Sequence, residues 1–176
     1  SAWISISLFG SLPFLFSNLN LNFIDAFFES TSGITTTGST IISNLDQVSY
    51  GILLWRALLQ WLGGIGIIVM AVAILPMLSI GGMQLFKTES YETPDKIIPR
   101  AAIFASGISI VYIVLTSTWA FMLWLAGMPI FDSITHAMTT LATGGYSTKS
   151  ESLGAFNSVN IEMIIVLGMI VGSLPF

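Results

Sequence analysis

The chain has 176 residues, 54% of them hydrophobic and 8% charged, with a mean hydropathy of +0.88, whereas an average soluble domain carries roughly 25% charged residues. Its five bases lie scattered among nine acids for a net charge of -4, which excludes the basic footprint of a nucleic-acid binder. It has no cysteine, so disulfides, thiolate metal sites and cysteine nucleophiles are excluded as well.

In chain order, the first apolar stretch is Ala2 to Phe16. It begins without the basic lead of a secretory signal and reads as the tail of a helix already under way. Next comes Asn22–Thr40, a short semi-apolar helix candidate, Phe23–Ser32, followed by a loop rich in Thr, Ser and Gly. A second apolar stretch covers Tyr50 to Leu78. The segment from Gly81 to Arg100 holds Lys87, Lys96 and Arg100. Ala101 to Met128 then offers 28 residues without a charge, where a bilayer core asks for about 20. Pro129–Thr148 brings a second short helix candidate, Phe131–Leu141, and a second small-residue loop. Ile161 to Phe176 is the last apolar stretch. Like the first it is brief for a crossing, which marks the chain as a fragment.

The pattern occurs twice. With Asp25 laid on Asp132, an offset of 107 positions, Thr36 falls on Thr143, Gly38 on Gly145 and Glu29 on His136. A repeat of this kind takes precedence over local readings. It divides the chain into a first unit at residues 1–80, a linker at 81–100 and a second unit at 101–176. Lys and Arg in short loops mark the cytoplasmic side, so the linker is expected inside and both Thr/Gly loops outside.

Irregular backbone at membrane depth is tolerated where protein buries it or where it lines a water-filled path. A cation path needs oxygen ligands in place of the hydration shell, supplied mostly by backbone carbonyls. Thr35, Thr36, Thr37 and Gly38, with Ala142, Thr143, Gly144 and Gly145, have the small side chains and the glycine freedom for it. A short helix ending at such a loop brings about half a negative charge to its C-terminus, while Asp25 and Asp132 suit the opposite, positive end. Glu29 and His136 are expected beside the loops as packing or hydrogen-bonding groups. The alternative for both loops is ordinary solvated turns.

Arg56 lies inside the second stretch. It either snorkels to the outer interface or shares a polar contact facing the path with Gln60, one turn further on. Gly63, Gly64 and Gly66 allow close helix contact. The lone His and the absence of a nucleophile–base pair or a metal cluster speak against an enzyme. A secondary transporter with broken helices is the remaining alternative, although its repeats are commonly inverted.

The runs Asp25 to Gly38, Gly63 to Ile67, Gly81 to Phe86 and Ala142 to Thr148 resemble the Trk/Ktr/HKT superfamily of potassium transporters, most closely its bacterial TrkH branch, over nearly the whole chain. The resemblance implies an all-α membrane protein of tandem helix–pore-loop–helix repeats of potassium-channel type, four to a complete pore, of which two are present. It implies uptake of K+ across the cell inner membrane through a filter whose narrowest part holds Gly38 and Gly145. Symport with H+ or Na+, or a sodium-permeable relative, is the alternative. It also implies a homodimer and a cytoplasmic nucleotide-binding regulatory subunit, with no cofactor in this chain. Cysteines introduced singly at Ser43 and at Thr93 are expected to label from opposite sides of the membrane. Labelling of both from outside would reverse the topology.

Overall fold

The computed structural model describes residues 2–74 and 97–174. Among them are six α-helices and no strand. In the first half, α1 (Ala2–Leu15), α2 (Phe23–Ile34) and α3 (Tyr50–Ile74) follow one another, with a 3-10 turn at Leu45–Gln47 before α3. In the second, α4 (Ile97–Leu125), α5 (Ile130–Leu141) and α6 (Val159–Gly172) repeat the order, with a 3-10 turn at Ser152–Phe156 before α6. The expected linker lies outside the described residues up to position 96. Its last residues, Ile97 to Arg100, belong to α4, because Pro99 falls in a first turn that tolerates a missing N–H.

α4 has 29 residues, about 43 Å at the standard rise, and exceeds a bilayer core. Two segments, Tyr50–Ile67 and Ala105–Leu125, are long and apolar enough to cross a membrane, and only 17% of the second is buried within the protein. Its outward face carries Ile110, Val111, Ile113, Val114, Phe121 and Leu125. An apolar face of that size suits lipid and not water. By contrast α2 and α5 have 12 residues each, about 18 Å, and reach only part of the way.

Local chemistry sets the ends of these helices. Asn22 caps α2, its side-chain Oδ1 accepting the Asp25 N–H at 2.9 Å. α4 stops at Gly127, which takes φ 98. There the Met128 N–H reaches the Leu123 carbonyl at 3.1 Å and the Gly127 N–H reaches that of Trp124 at 3.0 Å, a Schellman closure.

Packing proceeds around the short helices. α2 lies between α1 and α3, and α5 between α3, α4 and α6. One apolar cluster joins Phe14, Ala26, Ile34, Leu53 and Leu59, and a second joins Leu123, Met128, Ala137, Ile161 and Ile165. α3 and α4 connect the halves: the Trp61 ring stacks on Tyr112 at 5.4 Å, and Trp61 Nε1 donates to Thr116 Oγ1 at 3.0 Å.

Glycine permits the closest approaches. A Cβ on Gly63 would meet the Ile34 carbonyl at the end of α2, and one on Gly172 would lie 2.8 Å from the Leu141 carbonyl at the end of α5. Gly64 packs on Ala142, whereas nothing lies within 4 Å of a Cβ on Gly66. Gly63→Ala is therefore expected to destabilise the protein by about 1–3 kcal/mol through overpacking, while Gly66→Ala is neutral or slightly stabilising. Thermal unfolding of the two variants in detergent checks this, and equal effects would remove the close contact as the cause.

Candidate ion-path loops and their buried brace

α2 and α5 end in the same way. After α2, the Thr37 N–H bonds the Ser32 carbonyl at 2.9 Å and the Thr36 N–H bonds that of Gly33 at 3.0 Å. After α5, the Gly144 N–H bonds the Thr139 carbonyl and the Thr143 N–H that of Thr140, both at 2.9 Å. Each closure is a Schellman motif with threonine where glycine is usual. Thr36 has φ 56 and Thr143 φ 52, and two residues on, Gly38 has φ 79 and Gly145 φ 83. A β-branched residue at positive φ is an outlier, costs on the order of 1–3 kcal/mol and persists where surroundings over-determine it. Two such residues stand at equivalent places in the two loops.

The loops touch. A Cβ on Gly38 would run into the Gly144 carbonyl, and one on Gly144 into the Gln60 amide, whereas one on Gly145 would meet open space. Thr35, Thr37, Thr143 and Gly145 are exposed; Thr36 and Gly38 are half-buried; Ala142 and Gly144 are buried. Their exposed sides face away from the described chain.

Behind the loops sits a polar network that sequence reading left unassembled. Glu29 is 0% exposed, Arg56 1% and Gln60 0%. Arg56 Nε donates to Glu29 Oε1 at 2.8 Å and Nη1 to the Ser147 carbonyl at 3.2 Å, with the guanidinium carbon 4.0 Å from the centre of the Tyr146 ring. The snorkelling alternative for Arg56 is thus corrected, and the partner is Glu29, not Gln60. The Tyr146 hydroxyl donates toward the carbonyls of Glu29 at 3.0 Å and Ser39 at 3.2 Å. Thr40 Oγ1 and the Ile41 N–H supply the carboxylate's remaining donors at 2.9 Å and 3.2 Å. One signal could have found this pair: a carboxylate beyond the first turn of a short apolar helix and the one arginine of an apolar span have to meet, since neither charge is tolerable alone.

The second loop repeats the brace with other chemistry. His136, at the place of Glu29, holds Ser147 Oγ through Nε2 at 3.1 Å and meets the Asp132 carbonyl oxygen through Nδ1 at 2.8 Å. Ser147 stands at the place of Thr40, so the same two positions are joined in both halves. Asp132 is buried and accepts from Thr148 Oγ1 at 2.6 Å. It ties the exit of the loop to its helix and does not cap that helix. Asp25 is half-buried in the first turn of α2, where Asn22 is the capping side chain. Outside the helices, Asp46 accepts from the Ser150 N–H at 3.3 Å and lies 3.7 Å from Lys149 Nζ. Hydrogen bonding from Ser150, helped by the Lys149 charge, lowers the Asp46 carboxyl below its ordinary 3.8. This tie between the segments that follow the two loops is therefore complete above that range and is lost as pH falls through it.

Fold and site together define an all-α membrane protein of the transport class, with two like loops and a buried brace behind them. A family model described as TrkH, cation transport protein, matches residues 1–176. The chain is 47% identical over 172 residues to the Trk system potassium uptake protein TrkH of Salmonella typhimurium, covering 96% of this chain and 36% of that protein. It is 46% identical over 176 residues to the Trk system potassium uptake protein TrkI of Halomonas elongata, covering 99% and 36%. The crystal structure of the potassium transporter TrkH from Vibrio parahaemolyticus superposes with a TM-score of 0.83 at 45% identity, covering 97% of this chain and 34% of that one. The chain belongs to the TrkH family of cation transport proteins. It spans about a third of the length of the relatives it matches, and these are transport proteins, not enzymes.

Breaking a buried ion pair by removing one partner costs about 3–5 kcal/mol. Glu29→Gln and Arg56→Met are each expected to lose that much, and the double variant to lose less than the sum, by about 0.5–3 kcal/mol. A double-mutant cycle on unfolding in detergent measures the coupling. Strict additivity would separate the two residues.

Proposed function

We propose that this chain contributes two of the helix–pore-loop–helix units of a potassium uptake protein, at residues 1–80 and 101–176, with a cytoplasmic linker at 81–100. The loops Thr35 to Gly38 and Ala142 to Gly145 lend carbonyl oxygens to a filter that replaces the hydration shell of K+. The observation that carries this reading is the repeated loop geometry: threonine in the left-handed region and glycine at positive φ two residues on, in both loops. In a plain strand successive carbonyls point to opposite sides. A positive φ at every second residue breaks that alternation and lets neighbouring carbonyls share one side. The relatives, which are potassium uptake proteins, point to the ion.

Electrostatics agrees with a cation. The C-terminal ends of α2 and α5 lead directly into the loops and carry partial negative charge. Arg56 is the one cation among the described residues buried behind the loops, and Glu29 neutralises it at 2.8 Å. The exposed sides of the loops, at Thr35, Thr37, Thr143 and Gly145, face the place where further repeats of the same polypeptide complete the ring. A second copy of the protein and a nucleotide-binding regulatory ring belong to this reading as its partners, and the inner membrane as its location.

Gly38 is the most sensitive position, because its φ is +79 and a side chain there meets the Gly144 carbonyl. In the full-length polypeptide, Gly38→Ser is expected to lower the potassium-to-sodium uptake ratio at least about tenfold, or about 1.4 kcal/mol. Growth of a potassium-uptake-deficient strain at low potassium is expected to fall with it. An unchanged ratio would remove Gly38 from the filter.

A further inference from the structure

We propose that Gln60 is the positioning residue that holds the two filter loops in one register, and thereby sets discrimination between potassium and sodium; this rests on the potassium reading above. Gln60 belongs to α3, the helix that follows the first loop, yet its Oε1 accepts the Tyr146 N–H at 3.1 Å, immediately after the second loop. It is completely buried, and a buried amide without partners is costly. Its placement is therefore held by the structure around it.

The amide occupies the space that a side chain at position 144 would need. Gly144 in turn presents its carbonyl to Gly38, and Gln60 Nε2 lies 3.7 Å from where a Gly38 Cβ would stand. One side chain thus stands at the junction of both loops, packed on one, bonded to the other's exit and adjacent to the first glycine. Among the described residues Nε2 has no hydrogen-bond partner, so the grip on the second loop passes through Oε1. Arg56 sits four residues earlier on the same face and holds the next residue, Ser147, by its carbonyl. The two side chains fasten consecutive residues of the second loop's exit to the first repeat.

Potassium and sodium differ in radius by a fraction of an ångström, so carbonyls contributed by two separate loops discriminate between them only if the loops keep a fixed offset. Loss of the Tyr146 bond frees that offset without removing any carbonyl. The consequence is a filter that still conducts but selects poorly, which differs from what a merely structural side chain would give.

The test uses the full-length polypeptide in liposomes, with potassium and sodium uptake measured separately and normalised to the amount of protein. Gln60→Leu removes the acceptor and is expected to lower the potassium-to-sodium ratio about tenfold, chiefly by raising sodium uptake. Gln60→Glu keeps an acceptor oxygen and is expected to recover most of the ratio. If Gln60→Leu does not accumulate in the membrane, Gln60→Glu decides: a retained ratio supports the proposal and a collapsed one overturns it. A Gln60→Leu protein that discriminates like the parent, or that loses both ions in equal proportion, overturns it too. A parent that takes up neither ion overturns the transport reading itself; a selective parent with an unchanged Gln60→Leu ratio overturns only the role of Gln60.

Discussion

An arginine enclosed by protein away from water needs a partner of opposite charge, because an unpaired buried charge is costly. The geometry around the loops follows from that constraint. Arg56 needs a carboxylate within reach, and Glu29 on α2 supplies it at 2.8 Å, which fixes how α2 lies on α3. Its flat face then accepts the Tyr146 ring at 4.0 Å, which brings the exit of the second loop onto the first repeat. A buried ion pair is weak grounds for high stability, since desolvation offsets much of the attraction. Its contribution here is directional: three chain segments far apart in sequence meet at one guanidinium.

The halves of the chain meet the same mechanical need with different chemistry. Each short helix has to hold the segment that leaves its loop, and each does so from equivalent positions, Glu29 to Thr40 and His136 to Ser147. A carboxylate is needed in the first half because a cation must be neutralised. Among the described residues no buried arginine comes from the second half itself, and there an imidazole with both nitrogens engaged satisfies the site. The brace between repeats centres on α3 of the first, which holds the exit of the second loop through Arg56 and Gln60, while the Tyr146 hydroxyl reaches back to the carbonyls of Glu29 and Ser39.

Backbone conformation and close packing depend on each other. Thr36 and Thr143 hold left-handed conformations that threonine alone would avoid, and what holds them is the pair of Schellman bonds before each loop together with a glycine-faced helix behind it. Gly63 and Gly172 let α3 and α6 press on the final carbonyls of α2 and α5. Without these approaches the last turns would be free to relax, and the threonines with them.

Much of this was legible in the residues alone. Apolar length is a local property read against a bilayer of known thickness, so the long spans and the half-length helices could be read in order, and the offset of 107 already paired Thr36 with Thr143 and Gly38 with Gly145. Glycine at positive φ likewise follows from residue type. Only the tertiary structure decided who partners whom. That Asn22 and not Asp25 caps α2, that Gly63 is a contact and Gly66 is not, and that Arg56 turns inward to Glu29 all depend on distances between helices. Those distances are set by side chains dozens of positions apart packing together, and no local pattern encodes them.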